Sequence, residues 1–250
     1  MENKNRIIIL DTLRGILIIL VILYHFLYDL NFIFDVNVPL MNTAGINIFR
    51  DIFVSMLIFI SGICCNLSKN NIKRGIKVLF WGLIISFVTI IFLPEERIIF
   101  GILHFFGTAM IIYGVISPVV TAIFNKDHGK TIRLITAAVM FIMFLLTYNI
   151  YDYYYPLINR LASSDVFLQY LLFFAGFNTG VISMDYYPVF PWIFLFLSGA
   201  FSFYGIQNLR LPDYVYKNYL PFITFIGRHT LIIYICHQPI LYGILLLFLG

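Results

Sequence analysis

Charge is the scarcest property of this chain. Of 250 residues, 11% are Asp, Glu, Lys or Arg, whereas 61% are hydrophobic, and the mean hydropathy is +0.94. A soluble domain is nearer a quarter charged, and a core able to bury this much apolar surface would have to be far larger than the chain allows. Cysteine is also scarce. Cys64, Cys65 and Cys236 all fall in apolar runs, show no zinc-ligand spacing, and read as small buried apolar residues. Short alternating segments of about 10 residues, the mark of a membrane β-barrel, are absent. So are a Gly-rich phosphate loop, HEXXH and GXSXG. No internal repeat supports an inverted-repeat transporter. Asp11 and Arg14 interrupt the first apolar run and no small-residue cleavage site succeeds it, so no cleavable signal peptide is expected. The net charge of +4 is not a nucleic-acid signature, because the basic residues lie in short segments between apolar runs.

The chain does have apolar runs of bilayer-spanning length, about 20 residues each. They predict an all-α, polytopic helical membrane protein, multi-pass in the cell membrane, forming one domain over 1–250. Seven transmembrane helices are expected near 7–29, 45–66, 74–93, 98–124, 132–149, 187–206 and 229–248. Lys4, Arg6, Lys69, Lys73, Arg74, Lys77, Lys126, Lys130, Arg133, Arg210 and Lys217 fall in one set of alternate loops. The other set holds only Arg50, Arg97 and Arg160, with Asp35, Asp51, Glu95, Glu96, Asp152 and Asp165. The positive-inside rule then puts the N-terminus in the cytoplasm and the C-terminus outside. The stretch 166–182 is apolar but broken by Gly176, Asn178 and Gly180. It reads as a re-entrant or interfacial segment, since a full crossing would place Arg210 and Lys217 outside. Gly227 is expected to end a short helix from Pro221, Thr230 to start the last helix, and Pro239 to kink it. Tyr148–Pro156 reads as an interfacial aromatic belt in preference to a sugar-stacking platform.

The run Leu10–Asp29 organises the rest. At about 100° per residue, Asp11, Arg14, His25 and Asp29 share one stripe of the first helix, with Ile18 and Ile22 between them. Ionisable groups in a bilayer need a partner or a polar cavity, so the stripe is expected to face a polar interior. Depth then sorts the candidates. His25, Asp29, His104, Asp185 and His237 belong to the outer half; Asp11, Arg14, Arg228 and His229 belong to the inner end. Bland readings compete at each position. Asp11 and Arg14 can pair with each other across one turn. His25 and Asp29 can form a satisfied polar pair, and His104 can be a packing residue between glycines. A carboxylate-oriented histidine can serve as a general base toward an amine or hydroxyl. A proton-coupled small-molecule transporter or flippase would use the same residue types. No metal site is expected.

Four blocks in this order, LDTLRGILIILVILYHFLYDL at 10–30, FGILHFFGTAMIIYG at 100–114, SMDYYPVFPWIFLFLSGAF at 183–201 and FIGRHTLIIYICHQPIL at 225–241, resemble the bacterial relatives of the heparan-alpha-glucosaminide N-acetyltransferase catalytic domain, within the wider transmembrane acyltransferases. The resemblance covers nearly the whole chain. It implies transfer of an acyl group, typically acetyl, from cytoplasmic acetyl-CoA or another acyl-CoA to an acceptor on the far side of the membrane. For a chain this short, the implied acceptor is an extracytoplasmic glycan or amino sugar of the cell envelope, bearing an amino or hydroxyl group. Animal members place their active-site histidine in the loop after the first matched span. Here no histidine lies between Phe26 and Leu103, so the base is expected among His25, His104 and His237, oriented by Asp29 or Asp185. Arg14 and Arg228, beside Asp11 and with Lys73 and Arg74 nearby, are the cations expected to hold the donor's phosphates. Direct transfer and a transient acyl-histidine both remain open. The expected partners are acyl-CoA, the glycan and membrane lipids, with a homodimer compatible and no nucleic acid.

Overall fold

The computed structural model describes residues 6–123, 129–148, 165–177, 179, 181–206 and 211–249. His128, Asn178, Gly180 and all of the aromatic run after Tyr148 lie outside the described residues. Nine α-helices are described: α1 Ile8–Tyr28, α2 Ala44–Cys65, α3 Asn71–Phe92, α4 Ile102–Ile123, α5 Gly129–Thr147, α6 Val166–Ala175, α7 Val189–Ile206, α8 Pro221–Arg228 and α9 Thr230–Leu249. A π-helical turn, Asp29–Ile33, continues α1. Single 3-10 turns occur at Pro39–Asn42, Pro94–Glu96 and Asp213–Tyr216. No strand occurs among the described residues.

Six helices are long and apolar enough to cross a membrane: α1 with its π turn, α2, α3, α4, α5 and α9. The remaining apolar helices are shorter. In α7, expected as a further crossing, Phe190 is extended (φ −92°, ψ 133°), so regular helix begins only at Pro191. Helix α6 has ten residues, or about 15 Å of rise, half the thickness of a hydrocarbon core. Asp165 caps its start by accepting from the N–H groups of Phe167 and Leu168. Gly176, at φ 113°, ends it with the Phe177 N–H returned to the Leu172 carbonyl, the double-backed turn that glycine permits. Cys64 and Cys65 are buried as expected, but Cys236 is exposed on α9.

The chain falls into two compact units, 1–60 with 210–250, and 61–209. In the first, α1 packs along α8 and α9. Its stripe is the covered side: Asp11, Ile18 and Asp29 are buried, whereas Ile16, Ile19 and Leu23 on the other faces are exposed. The contact between α1 and α8 is made at backbone range. A Cβ at Gly15 would meet the Ile223 carbonyl, and one at Gly227 would meet the Asp11 carbonyl. Small residues are how membrane helices approach this closely. Gly227 therefore does not terminate α8, which runs on to Arg228; it lets α8 lie on α1. Thr230 does begin the last helix, which continues through Pro239.

In the second unit α3 lies against α4 and α5 against α7. Gly75 and Gly82 on α3, and Gly107 and Gly114 on α4, are each seven residues apart, two helical turns. A Cβ at Gly107 would press on the Leu79 nitrogen and one at Gly75 on the Gly107 carbonyl. Between α5 and α7, Ser198 donates to the Ala137 carbonyl at 2.9 Å. Helix α4 starts at Ile102 rather than at the expected 98. The residues before it are stitched to the segment 182–187: Met184 N–H donates to the Arg97 carbonyl, Tyr187 N–H to the Phe100 carbonyl, and Ile99 N–H to Ser183 Oγ.

Candidate functional site

In the unit 1–60 with 210–250, the stripe of α1 meets α8 and α9 at two levels. Asp11 and His25 are 14 residues apart on one helix, about 21 Å along its axis.

At the Asp11 level a buried carboxylate is surrounded by guanidinium groups. Arg6 donates to both Asp11 oxygens, Nε to Oδ2 at 2.6 Å and Nη2 to Oδ1 at 3.1 Å. Arg228 Nε lies 3.5 Å from Oδ2. The close approach at Gly227 is what carries Arg228 to that carboxylate. Arg14 donates to Thr230 Oγ1, while Thr12 and Thr224 share a hydroxyl contact at 2.9 Å. The partners of Asp11 are thus drawn from residue 6 and from α8, where the sequence suggests Arg14. Arg6 and Arg228 are each more than a third exposed. Three guanidinium groups and one carboxylate leave a net positive, accessible cluster suited to phosphate.

At the His25 level the ring centroids of His25 and His237 are 5.0 Å apart. His237 is held from its own helix: Nδ1 bonds to the Tyr234 carbonyl. A carbonyl can only accept, so Nδ1 carries a proton. In the neutral imidazole the lone pair then resides on Nε2, which is buried and makes no hydrogen bond. Next in sequence, Gln238 donates to Asp29 Oδ1 at 2.8 Å. Asp29 is fully buried at the start of the π turn, and its bond to Gln238 fixes α9 against α1. Close by, Arg50 pairs with Asp51 at 2.9 Å and reaches the Tyr24 hydroxyl.

The unit 61–209 holds His104, Asp185, Lys73 and Arg74. His104 sits in a slot whose floor is Gly82. Its Nδ1 accepts from the Gly101 N–H at 3.2 Å and its Nε2 faces Ser86 Oγ at 3.2 Å. Gly82 and Ser86 are one turn apart on α3, so a single face of that helix forms the slot. With Nδ1 accepting, Nε2 is the protonated nitrogen of the neutral ring, and it donates to Ser86. Asp185 Oδ2 accepts from the Ile102 N–H at 3.2 Å, so its negative charge sits at the N-terminus of α4, where the helix dipole favours it. Asp185 has φ 49°, a conformation that Asp tolerates better than most residues. Just before α7, the Tyr186 hydroxyl donates to the Phe173 carbonyl at 2.6 Å and its ring stacks on Phe173 at 4.5 Å. Burial raises the Tyr186 phenol above its ordinary range, so it remains a neutral donor. Lys73 and Arg74 lie in the first turn of α3, capped by Asn70.

The structure therefore brings together His25, His237 and Asp29 in one unit, with Asp11 and Arg14 of α1 and Arg228 of α8 at a second level of the same unit. It gives His104 and Asp185 a shared position at the start of α4. Sequence reading misses Gln238 as the partner of Asp29 and Arg6 as the partner of Asp11. The first signal is present, since Gln238 adjoins His237 in the block 225–241. Among the described residues, no group of three or more His, Cys, Asp or Glu side chains could hold a metal ion.

The family model for heparan-alpha-glucosaminide N-acetyltransferase, catalytic, matches residues 6–239. Curated proteins and solved structures yield no match.

Proposed function

Because the chain belongs to the heparan-alpha-glucosaminide N-acetyltransferase catalytic family, whose activity is transmembrane acetyl transfer, we propose that it moves an acyl group, acetyl first, from cytoplasmic acyl-CoA to an amino or hydroxyl group of an extracytoplasmic glycan. The observation that carries this reading is the buried, unpartnered Nε2 of His237, its lone pair fixed by the bond from Nδ1 to Tyr234.

In this reading the acceptor's N–H or O–H gives its proton to His237 Nε2. Its nitrogen or oxygen attacks the thioester carbonyl, the C–S bond breaks, and the coenzyme leaves as the thiol after taking up the proton. His25, beside His237, is the second histidine of the reacting centre. Asp29 acts through Gln238, which orders the turn of α9 carrying His237. Arg14 and Arg228 hold the donor's phosphates. A pantetheine arm is extended and thin, which suits a phosphate end and a reacting end placed at separate levels of one helix. His104 and Asp185 position the start of α4 within the unit 61–209.

The test is transfer of radiolabelled acetyl from acetyl-CoA to glucosamine-terminated acceptors by the purified protein. Positioned general bases contribute typically 10²–10⁴-fold. His237→Asn keeps a donor near the place of Nδ1 and removes the base, so at least a hundredfold loss in kcat is expected, with the melting temperature retained. Activity within tenfold of wild type would remove His237 from the mechanism. Label on the protein in the absence of acceptor would replace direct transfer by an acyl-histidine.

A further inference from the structure

The unit 61–209 contains a buried cation to which the proposed function assigns no role. Loop charge places Arg133 among solvated cytoplasmic residues, yet it lies in α5 and is only 7% exposed. Its guanidinium carbon sits 3.7 Å from the centroid of the Tyr204 ring on α7. Its Nε is buried and makes no hydrogen bond. Among the described residues no carboxylate forms an ion pair with it.

The surroundings are polar and held in place. The Tyr204 hydroxyl lies against that of Tyr113 on α4. Tyr113 donates to Asn66 Oδ1 at 2.7 Å, and Asn66 donates to the Ala200 carbonyl at 2.8 Å. Asn71 donates to the Cys65 carbonyl at 2.9 Å. These groups come from the end of α2, the start of α3, the middle of α4, the start of α5 and the end of α7. His104 and Asp185 are at the opposite ends of α3, α4 and α7.

A buried guanidinium with no counter-ion is costly in a low-dielectric interior, and the face of Tyr204 offsets only part of that cost. A mobile anion would supply the rest. The guanidinium fork matches phosphate oxygens two at a time. We propose that Arg133, held over the Tyr204 ring, forms a phosphate-binding site at this end of the unit. The phosphate can come from the nucleotide part of the acyl donor or from the headgroup of an anionic lipid. The first source rests on the acyltransferase reading; the second does not.

The experiment titrates detergent-solubilised full-length protein with tritiated coenzyme A and, separately, with phosphatidylglycerol. Wild type, Arg133→Gln and Arg133→Lys are compared, with melting temperature as the folding control. Arg133→Gln should weaken one of the two ligands at least tenfold. Arg133→Lys keeps the charge but loses the fork, and should weaken the same ligand by a smaller factor in a protein that still folds. Loss confined to coenzyme A identifies the donor phosphate; loss confined to the lipid identifies the headgroup. Wild-type affinity for both ligands in both variants, or no binding of either by wild type, overturns the site. Should wild type prove inactive in acetyl transfer, Arg133-dependent lipid binding would still stand, so the two proposals fail separately.

Discussion

Two glycines of the unit 1–60 with 210–250 separate packing from propensity. At Gly227 an added methyl would fall inside van der Waals contact of the Asp11 carbonyl and the Gly15 nitrogen, all backbone atoms. No flexible side chain is available to yield, so α8 must move off α1. Overpacking of this kind costs about 1–3 kcal/mol, and the rigidity of the neighbours points to the upper end. The same shift lengthens the 3.5 Å contact between Arg228 and Asp11. At Gly243 on α9 an added methyl meets nothing within 4 Å. There only helix propensity acts, and Ala is favoured over Gly by about 1 kcal/mol. Gly227→Ala should therefore lower the midpoint of thermal unfolding in detergent, and Gly243→Ala should leave it unchanged or raise it. Acyl-CoA binding should weaken in the first variant and hold in the second. Equal midpoints for the two variants would refute the packing argument, because both add the same methyl to a helix.

Asp11→Asn removes a buried carboxylate held by two guanidinium groups. Breaking a fully buried pair costs about 3–5 kcal/mol, but Arg6 and Arg228 are 49% and 37% exposed and solvent screens them. The expected loss is nearer about 1–2 kcal/mol by denaturant titration, and a loss at the buried-pair value would contradict the exposure. Gly176→Ala places a side chain at φ 113° and against the Phe190 carbonyl. Backbone strain and overlap together predict a loss of about 2–4 kcal/mol, seen as earlier unfolding reported by Trp192 fluorescence on α7. An unchanged midpoint would mean that α6 does not end in this turn.

The long helices are legible in the sequence because a bilayer allows few alternatives to runs of this length, and their observed ends fall within about four residues of those expected. The stripe on α1 is legible too, since periodicity alone orients Asp11, Ile18 and Asp29 to one side. The partners across helices are not. Asp11 pairs with Arg6 and Arg228, and the second pairing depends on where Gly227 lets α8 sit, a relation between residues more than 200 apart. Sequence puts the start of α4 too early because Phe100 and its neighbours are as apolar as a span, and only their bonds to 182–187 take them out of the helix. Gly227 reads as a helix end because a glycine used for close contact looks the same in sequence as one used for a turn. Arg133 reads as a loop cation for a similar reason: charge near a helix start does not reveal burial.

The π turn at Asp29–Ile33 accommodates one residue more than an ordinary helix would. Its bond from the Phe34 N–H to the Asp29 carbonyl, 3.0 Å, is the extra stride. Deleting a single residue between Leu30 and Ile33 would let the Phe34 N–H take the ordinary helical bond to the same Asp29 carbonyl, so Phe34 would keep its side of the helix and its place beside the Tyr242 ring 5.6 Å distant. Everything up to Asp29 would keep its register. The turn works as slack in the chain: a residue can be lost here without rotating either the buried carboxylate or the segment beyond it.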